Sequence, residues 1–185
     1  PKYVNEIKNN LIDIKEDGTF KLDISFFKFH RGFRMTSRKF HKLFGVPPRE
    51  SEKELTQFHM DLAASIQFLT EEVVIRLTRN IAKEYKIKNL CLAGGVALNC
   101  VANGKILREK IFDDIWIQPA AGDAGGAIGS ALFSYYKMTR KPRKVTKIKD
   151  DHMQGSLLGP SYKSNEIKKD LKEAGAPYIM GQGID

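Results

Sequence analysis

Two short apolar runs, residues 89–93 and 115–118, each give way almost at once to glycine and then to helical spacing. In the first, Asn89-Leu90-Cys91-Leu92-Ala93 is ended by Gly94-Gly95, and a helical pattern runs from Val96 to Lys110. In the second, Ile115-Trp116-Ile117-Gln118 is ended by Pro119. Gly122-Asp123-Ala124-Gly125-Gly126 then opens a helix that runs to about Lys137. Strands alternating with helices predict a parallel sheet in an α/β domain. The rest of the chain has to fit around these two units.

Upstream, Ile12 and Ile14 alternate with Asp13 and Lys15, Asp17-Gly18 supplies a tight turn, and Phe20, Leu22 and Ile24 alternate on the return. This predicts a hairpin over 11–24, and hence a mixed sheet with flanking helices. The residues before it read as strand-like. Residues 51–85 carry apolar positions three or four apart, from Leu55 through Leu69 to Tyr85, behind a Ser51–Glu54 capping-box pattern. At 1.5 Å per residue such a helix would be about 50 Å long, so a kink or break is expected. Beyond residue 149, Gly159-Pro160 breaks the chain before a short amphipathic helix from Asn165 to Ala174.

The 185 residues hold 31 Lys+Arg against 22 Asp+Glu, a net charge of +9, but the excess is local. Residues 24–49 hold Lys28, Arg31, Arg34, Arg38, Lys39, Lys42 and Arg49 with no acid, and residues 137–149 hold seven further cations with no acid. The remainder is net acidic, which argues against a uniformly basic nucleic-acid module. In the first stretch the cations are interleaved with Phe26, Phe27, Phe29, Phe33 and Phe40, a pattern that suits either base stacking or a packed loop; we expect the packed loop. The second stretch reads as a linker. No run approaches the roughly 20 apolar residues that span a bilayer. The first residues do not read as a secretory signal, and two cysteines, Cys91 and Cys100, are too few for a disulfide scaffold. A reducing, cytoplasmic setting is the expectation, with both cysteines as small core residues.

The glycine turns are where chemistry is expected. Ligands of α/β sheets bind outside the carboxyl ends of the strands, where helix N-termini offer unpaired N–H groups to an anion. Gly94, Gly95, Gly122, Gly125 and Gly126 would let a phosphate approach the backbone, or would equally let helices pack closely on the sheet. Neither turn is a Walker loop or a dinucleotide fingerprint. Asp123 reads as a helix cap or a metal ligand, and of Asn99 and Asn103, one turn apart, either one faces a ligand or both face solvent.

Leu90-Cys91-Leu92-Ala93-Gly94-Gly95-Val96-Ala97-Leu98-Asn99-Cys100, followed by Gln118-Pro119-Ala120-Ala121-Gly122-Asp123-Ala124-Gly125-Gly126-Ala127, closely resembles the O-carbamoyltransferase family of the NodU/CmcH type. Asp61-Leu62-Ala63-Ala64-Ser65-Ile66-Gln67 is similar to that family's preceding helix, and Arg34-Met35-Thr36-Ser37 also looks familial. The resemblance covers residues 5–140. Leu158-Gly159-Pro160-Ser161-Tyr162 looks like the entry to the family's C-terminal domain.

The resemblance implies half of an actin-like ATPase (ribonuclease H-like) domain over 1–140, a basic linker over 141–155, and the start of a truncated C-terminal carbamoyltransferase domain over 156–185. It implies a transferase that uses carbamoyl phosphate and ATP, and passes the carbamoyl group from carbamoyl-adenylate to a hydroxyl of a sugar or natural-product acceptor. Gly94, Gly95, Val96 and Asn99 would contact the nucleotide, with Gly122, Gly125 and Gly126 in the second turn. Asp123 would be a ligand of a divalent metal, usually iron. Lys28, Arg31, Arg34 and Lys39 are candidate contacts for an anionic acceptor or phosphate. A homo-oligomer is compatible with this reading. No membrane is implied, nor any nucleic acid.

The chain departs from the family in one respect. The family's metal site takes an H-x-x-x-H pair, and no pair among His30, His41, His59 and His152 has that spacing. His59 reads as structural or superficial, and His30 and His41 as solvent-exposed. No general base presents itself. The expectation is an inactive fragment of a longer enzyme. Competing readings are a sugar kinase or a tRNA-modifying threonylcarbamoyl-transfer relative on the same fold, and a non-enzymatic interaction domain.

Overall fold

The computed structural model describes residues 1–142, 156–179 and 181. The chain divides into two units, Pro1–Tyr135 and Tyr136–Asp185. The described part of the second holds the end of a helix begun in the first and a separate helix, α6 (Ser164–Glu173). Most of the expected linker lies outside the described residues.

The first unit is built on α3 (Gln57–Tyr85), a 29-residue helix without a break. Its start is not the Ser51–Glu54 pattern. Thr56 is the N-cap, and the ring Nδ1 of His59 accepts from the Thr56 amide at 3.1 Å. At 1.5 Å per residue α3 is about 43 Å long, and it serves two cores. Near its middle Leu69 joins Ile7, Leu11 and Phe26; further on Ile75 joins Ile106 and Phe112. With apolar partners along its length, the helix runs through both cores without the break that its length suggested.

The first core contains the hairpin. The opening residues fold as a helix, α1 (Val4–Asn10), and not as a strand. The amide of Tyr3 donates to Ser65 Oγ at 2.9 Å, and this hydroxyl, fully buried on α3, donates to the Asp61 carbonyl at 2.7 Å. The strands β1 (Ile12–Ile14) and β2 (Phe20–Leu22) pair antiparallel, with Asp13 opposite Lys21. Asp17 closes the turn by accepting from the amide and hydroxyl of Thr19, which holds its carboxyl below the usual range. Gly18, at φ 90°, lies so close to α3 that a Cβ would fall 2.4 Å from the Leu77 nitrogen. The hairpin remains a two-stranded sheet of its own, so among the described residues there is no mixed sheet.

In the basic stretch, Phe26, Phe27 and Phe40 belong to this first core, which settles their role as packing. α2 (Arg38–Phe44) starts at Ser37, whose hydroxyl accepts from the Phe40 amide and donates to the Ser25 carbonyl. The Phe40 and Phe44 rings pack at a tilt with centroids 4.8 Å apart, and Tyr3 meets Phe44 and Phe58 edge-on at 5.5 Å each.

The second core carries a parallel pair, β3 (Asn89–Leu92) and β4 (Asp114–Ile117), with Leu90 opposite Ile115 and Leu92 opposite Ile117. A 3-10 turn (Gly95–Leu98) and α4 (Cys100–Glu109) connect them, so the helical pattern from Val96 to Lys110 is two elements rather than one. Leu90, Leu92 and Ile115 pack on the cluster of Ile75, Ile106 and Phe112, while Cys91 and Trp116 point the other way and are exposed. Cys100, at the start of α4, is exposed as well, so neither cysteine is a core residue. Strand alternation explains Cys91: its neighbours take the covered face. α5 (Asp123–Thr139) follows β4 and buries none of its residues. No helix among the described residues is long and apolar enough to cross a membrane.

Candidate functional site

The two glycine turns lie side by side. Past the ends of the strands the ladder adds one bond, the Gln118 amide donating to the Leu92 carbonyl at 3.0 Å, and beyond it, outside the strand register, the Gly94 amide donates to the Ala121 carbonyl at 2.8 Å. Gly94 adopts φ 101° and ψ 163°, a conformation that other residues rarely reach. It turns the chain from β3 into the 3-10 segment.

That segment is fixed from below. Asn103, buried on α4, donates from Nδ2 to the Ala97 carbonyl at 2.7 Å. Asn99 is the N-cap of α4, its Oδ1 accepting from the Ala102 amide at 3.1 Å. The same Asn99 amide exchanges hydrogen bonds with Gln67 of α3, at 2.9 Å and 3.2 Å. Gln67 also donates to Glu71, whose other oxygen pairs with Lys105. The Asn103 side chain therefore holds the turn and faces neither ligand nor solvent. Gln67, which the sequence presented only as part of a helical motif, positions Asn99.

The second turn is held differently. Gln118 Oε1 accepts from the Ala120 amide at 3.0 Å, and the Gly125 amide donates to the Gly122 carbonyl at 3.1 Å. A Cβ on Gly125 would stand 2.1 Å from the Ala120 carbonyl oxygen, so this glycine is demanded by the turn itself. At Gly94, Gly95, Gly122 and Gly126 a Cβ would meet nothing within 4 Å. The joined turns thus present an open rim with no side chain at Gly94, Gly95, Gly122 and Gly126, at the N-terminus of α5, where the helix dipole favours an anion. Val96 projects from this rim, exposed, and also lines an apolar cavity of about 490 Å³ whose other walls include Leu11, Phe27, Phe40 and Leu69.

Asp123 is exposed at the first position of α5. Among the described residues no group of three or more His, Cys, Asp or Glu is placed to hold a metal ion. His41 is bound between Thr36 Oγ1 at 3.0 Å and the Val46 carbonyl at 3.1 Å, not displayed to solvent as expected. His59 caps α3, His30 is exposed beside Phe29, and His152 lies outside the described residues.

Of the four cations singled out, Lys39 is engaged: it pairs with Asp23 at 2.9 Å, donates to Ser25 Oγ at 2.7 Å and sits 4.0 Å over the Phe26 ring. The Ser25 side chain and then Lys39 pull the Asp23 carboxyl down to about 2. Lys28, Arg31 and Arg34 lie on an exposed loop closed by the Lys28 amide donating to the Met35 carbonyl at 3.0 Å. Among the described residues none of the three forms an ion pair.

This arrangement occurs in a chain whose residues 1–132 match the family model described as Carbamoyltransferase N-terminus. The chain belongs to that family, and so to a family of transferases. It is 55% identical over 172 residues to the uncharacterized protein sll1178 of Synechocystis, covering 93% of this chain and 28% of that protein. It is 49% identical over 87 residues to nodulation protein NolNO of Sinorhizobium fredii, covering 47% of this chain and 13% of the relative. With nodulation protein U of Bradyrhizobium diazoefficiens it shares 35% identity over 83 residues, 45% of this chain and 14% of the other. The chain thus spans less than a third of the length of each of these relatives.

Proposed function

We propose that the protein to which these residues belong moves a carbamoyl group from carbamoyl-adenylate, made from carbamoyl phosphate and ATP, to a hydroxyl of a sugar or natural-product acceptor. In this reading the domain is half of an actin-like ATPase fold, and the joined glycine turns hold the adenylate phosphate and ribose. The observation that carries it is the Gly94–Ala121 hydrogen bond, which brings the two bare turns together, with open space over Gly95, Gly122 and Gly126. Internal packing accounts for Gly125 but not for those three.

In the transfer step the acceptor oxygen bonds to the carbamoyl carbon, the bond from that carbon to the phosphate oxygen breaks, and AMP leaves. The hydroxyl proton passes to solvent. The contribution of this chain is binding and orientation, which lowers the barrier by fixing the reactants in place. Backbone N–H groups at the start of α5 stabilise the phosphate charge, most strongly as AMP leaves. A metal centre takes about three protein ligands. The described residues offer the lone carboxylate of Asp123 and do not fit such a centre by themselves, so no step is drawn through one.

Gly95→Val in the full-length protein tests the reading. A Cβ at this position meets nothing within 4 Å, so the fold is expected to persist, checked by an unchanged melting temperature, while the side chain blocks approach to the rim. Titration calorimetry with ADP is expected to show at least a tenfold loss of affinity, about 1.4 kcal/mol. Unchanged affinity would remove the glycine rim from nucleotide binding. The 185-residue chain alone is expected to transfer no carbamoyl group.

A further inference from the structure

We infer that the loop from Lys28 to Met35 is an anion subsite for the acceptor, and that the acceptor alcohol is itself anionic, carrying a phosphate or diphosphate. The inference rests on the carbamoyl-transfer reading and adds to it the class of the acceptor. Three observations support it.

The first is unused charge. Several cations elsewhere on the first unit form ion pairs, Lys8 with Glu72, Lys39 with Asp23, Arg79 with Glu109 and Lys105 with Glu71 among them, while others such as Lys21, Lys83 and Lys110 form none among the described residues; what sets the loop apart is three cations within seven residues of an acid-free stretch. Lys28, Arg31 and Arg34 have none among the described residues, and no acid occurs between residues 24 and 49. Two guanidinium groups three residues apart suit the forked, bidentate recognition of phosphate oxygens.

The second is that the loop is held. The Phe27–Thr36 bridge, the Lys28–Met35 hydrogen bond and the Arg31 amide donating to the Lys28 carbonyl at 2.9 Å fix its base and its first turn. Phe27, at that base, lies in the first core. Phe29 and Phe33 remain exposed, available to cover the apolar face of a sugar or base.

The third is position. Phe27 at the base of the loop and Val96 on the first glycine turn line the same cavity of about 490 Å³. The base of the loop and the first glycine turn therefore border one hollow. A small anion fits better than a long polyanion, because outside the two basic stretches the chain is net acidic and would repel a polymer.

The test uses the full-length protein, saturated with ADP, and inorganic pyrophosphate as the calorimetric probe. A pyrophosphate site that ADP does not compete for is expected, at least tenfold weaker in R31A/R34A and partly restored in R31K/R34K, with ADP affinity unchanged in both. Retained melting temperature shows that the exposed loop was altered without unfolding. No pyrophosphate binding beyond the site that ADP occupies, or equal affinity in R31A/R34A, overturns the proposal. So does a loss in R31A/R34A confined to a 20-nucleotide single-stranded RNA or to phosphatidylserine vesicles, which would make the partner a nucleic acid or a membrane. Failure of ADP to bind at all would sink the nucleotide reading, whereas the pyrophosphate titration would still report on the loop.

Discussion

Gly125 and Gly126 are adjacent in sequence and in the same helix, yet alanine is expected to act oppositely at the two positions. At Gly125 the new methyl would fall 2.1 Å from the Ala120 carbonyl oxygen, a backbone atom that cannot swing aside. Relaxed contacts between heavy atoms lie at about 3.5 Å or more, so the turn has to open by more than 1 Å. That opening strains the Gly94–Ala121 hydrogen bond and the Gln118–Ala120 bond beside it. Overpacking of this kind costs about 1–3 kcal/mol. For a cooperative unit of 150–250 residues that lowers the melting temperature by about 2–12 °C. At Gly126 the methyl meets nothing within 4 Å, and replacing glycine in a helix gains up to about 1 kcal/mol, or a rise of roughly 2–4 °C. The assay is thermal denaturation of both variants in the full-length protein, with hydrogen exchange over residues 92–126 to locate the change. Faster exchange at Gly94 is expected in Gly125→Ala alone. Equal melting temperatures for the two variants would refute the assignment of Gly125 to turn packing. ADP affinity separates the roles further: Gly126→Ala is expected to weaken ADP binding without weakening the fold, because that methyl stands on the proposed phosphate side.

Ser65→Ala removes the acceptor of the Tyr3 amide and is expected to cost about 1–2 kcal/mol, read as faster hydrogen exchange throughout α1. Asn99→Ala loses the α4 cap and the Gln67 pairing together; about 1 kcal/mol is expected from the cap alone, with exchange at Ala102 and Asn103 rising first. Asp23 has a depressed pKa, so its contribution to stability is complete above the usual 3.8 and is lost as pH falls through about 2. A carbon-detected NMR titration should place its midpoint near 2 in the parent and closer to 3.8 in Lys39→Ala; a midpoint near 3.8 in the parent would show that the Ser25–Lys39 contacts do not act on it.

The sequence was most legible where one local signal decides the backbone. Asp17-Gly18 required a hairpin, and Gly94 at the end of an apolar run required a reversal. It was misread where two signals competed. Ser51 with Glu54 has the pattern of a capping box, but Thr56 with His59 caps α3 instead, a pairing that becomes apparent only once the ring nitrogen is seen to act as the acceptor. Lys39 looked like a candidate for ligand binding because its partner, Asp23, is 16 residues away and is brought near where α2 meets a second 3-10 turn, Ile24–Phe26, through the Ser37–Ser25 hydrogen bond. Gln67 carried no signal of its own, since its role depends on α3 passing the start of α4. Helical periodicity also joined the 3-10 segment to α4, because both have similar spacing over so few residues.

Strand alternation carries one further consequence. Leu90, Leu92, Ile115 and Ile117 turn toward the covered side, while Asn89, Cys91, Asp114 and Trp116 turn away from it, and beyond β4 α5 buries nothing. A parallel pair of strands is ordinarily buried on both faces. Trp116 is 47% exposed. Covering the rest of a residue of its size would remove on the order of 100 Å² from water, which is about 2.5 kcal/mol. In the 185-residue chain Trp116→Ala should therefore cost only what its present contacts supply. In the full-length protein, where we expect a second layer over this face, the same substitution should cost about 2.5 kcal/mol more, measured by exchange of the β4 amides in both. Trp116 is the only tryptophan of the chain, so iodide quenching of its emission in the isolated chain gives an independent check. Equal costs in the two proteins would mean that the face stays open to solvent, and that the outward alternation of β3 and β4 is that of a sheet covered on one side.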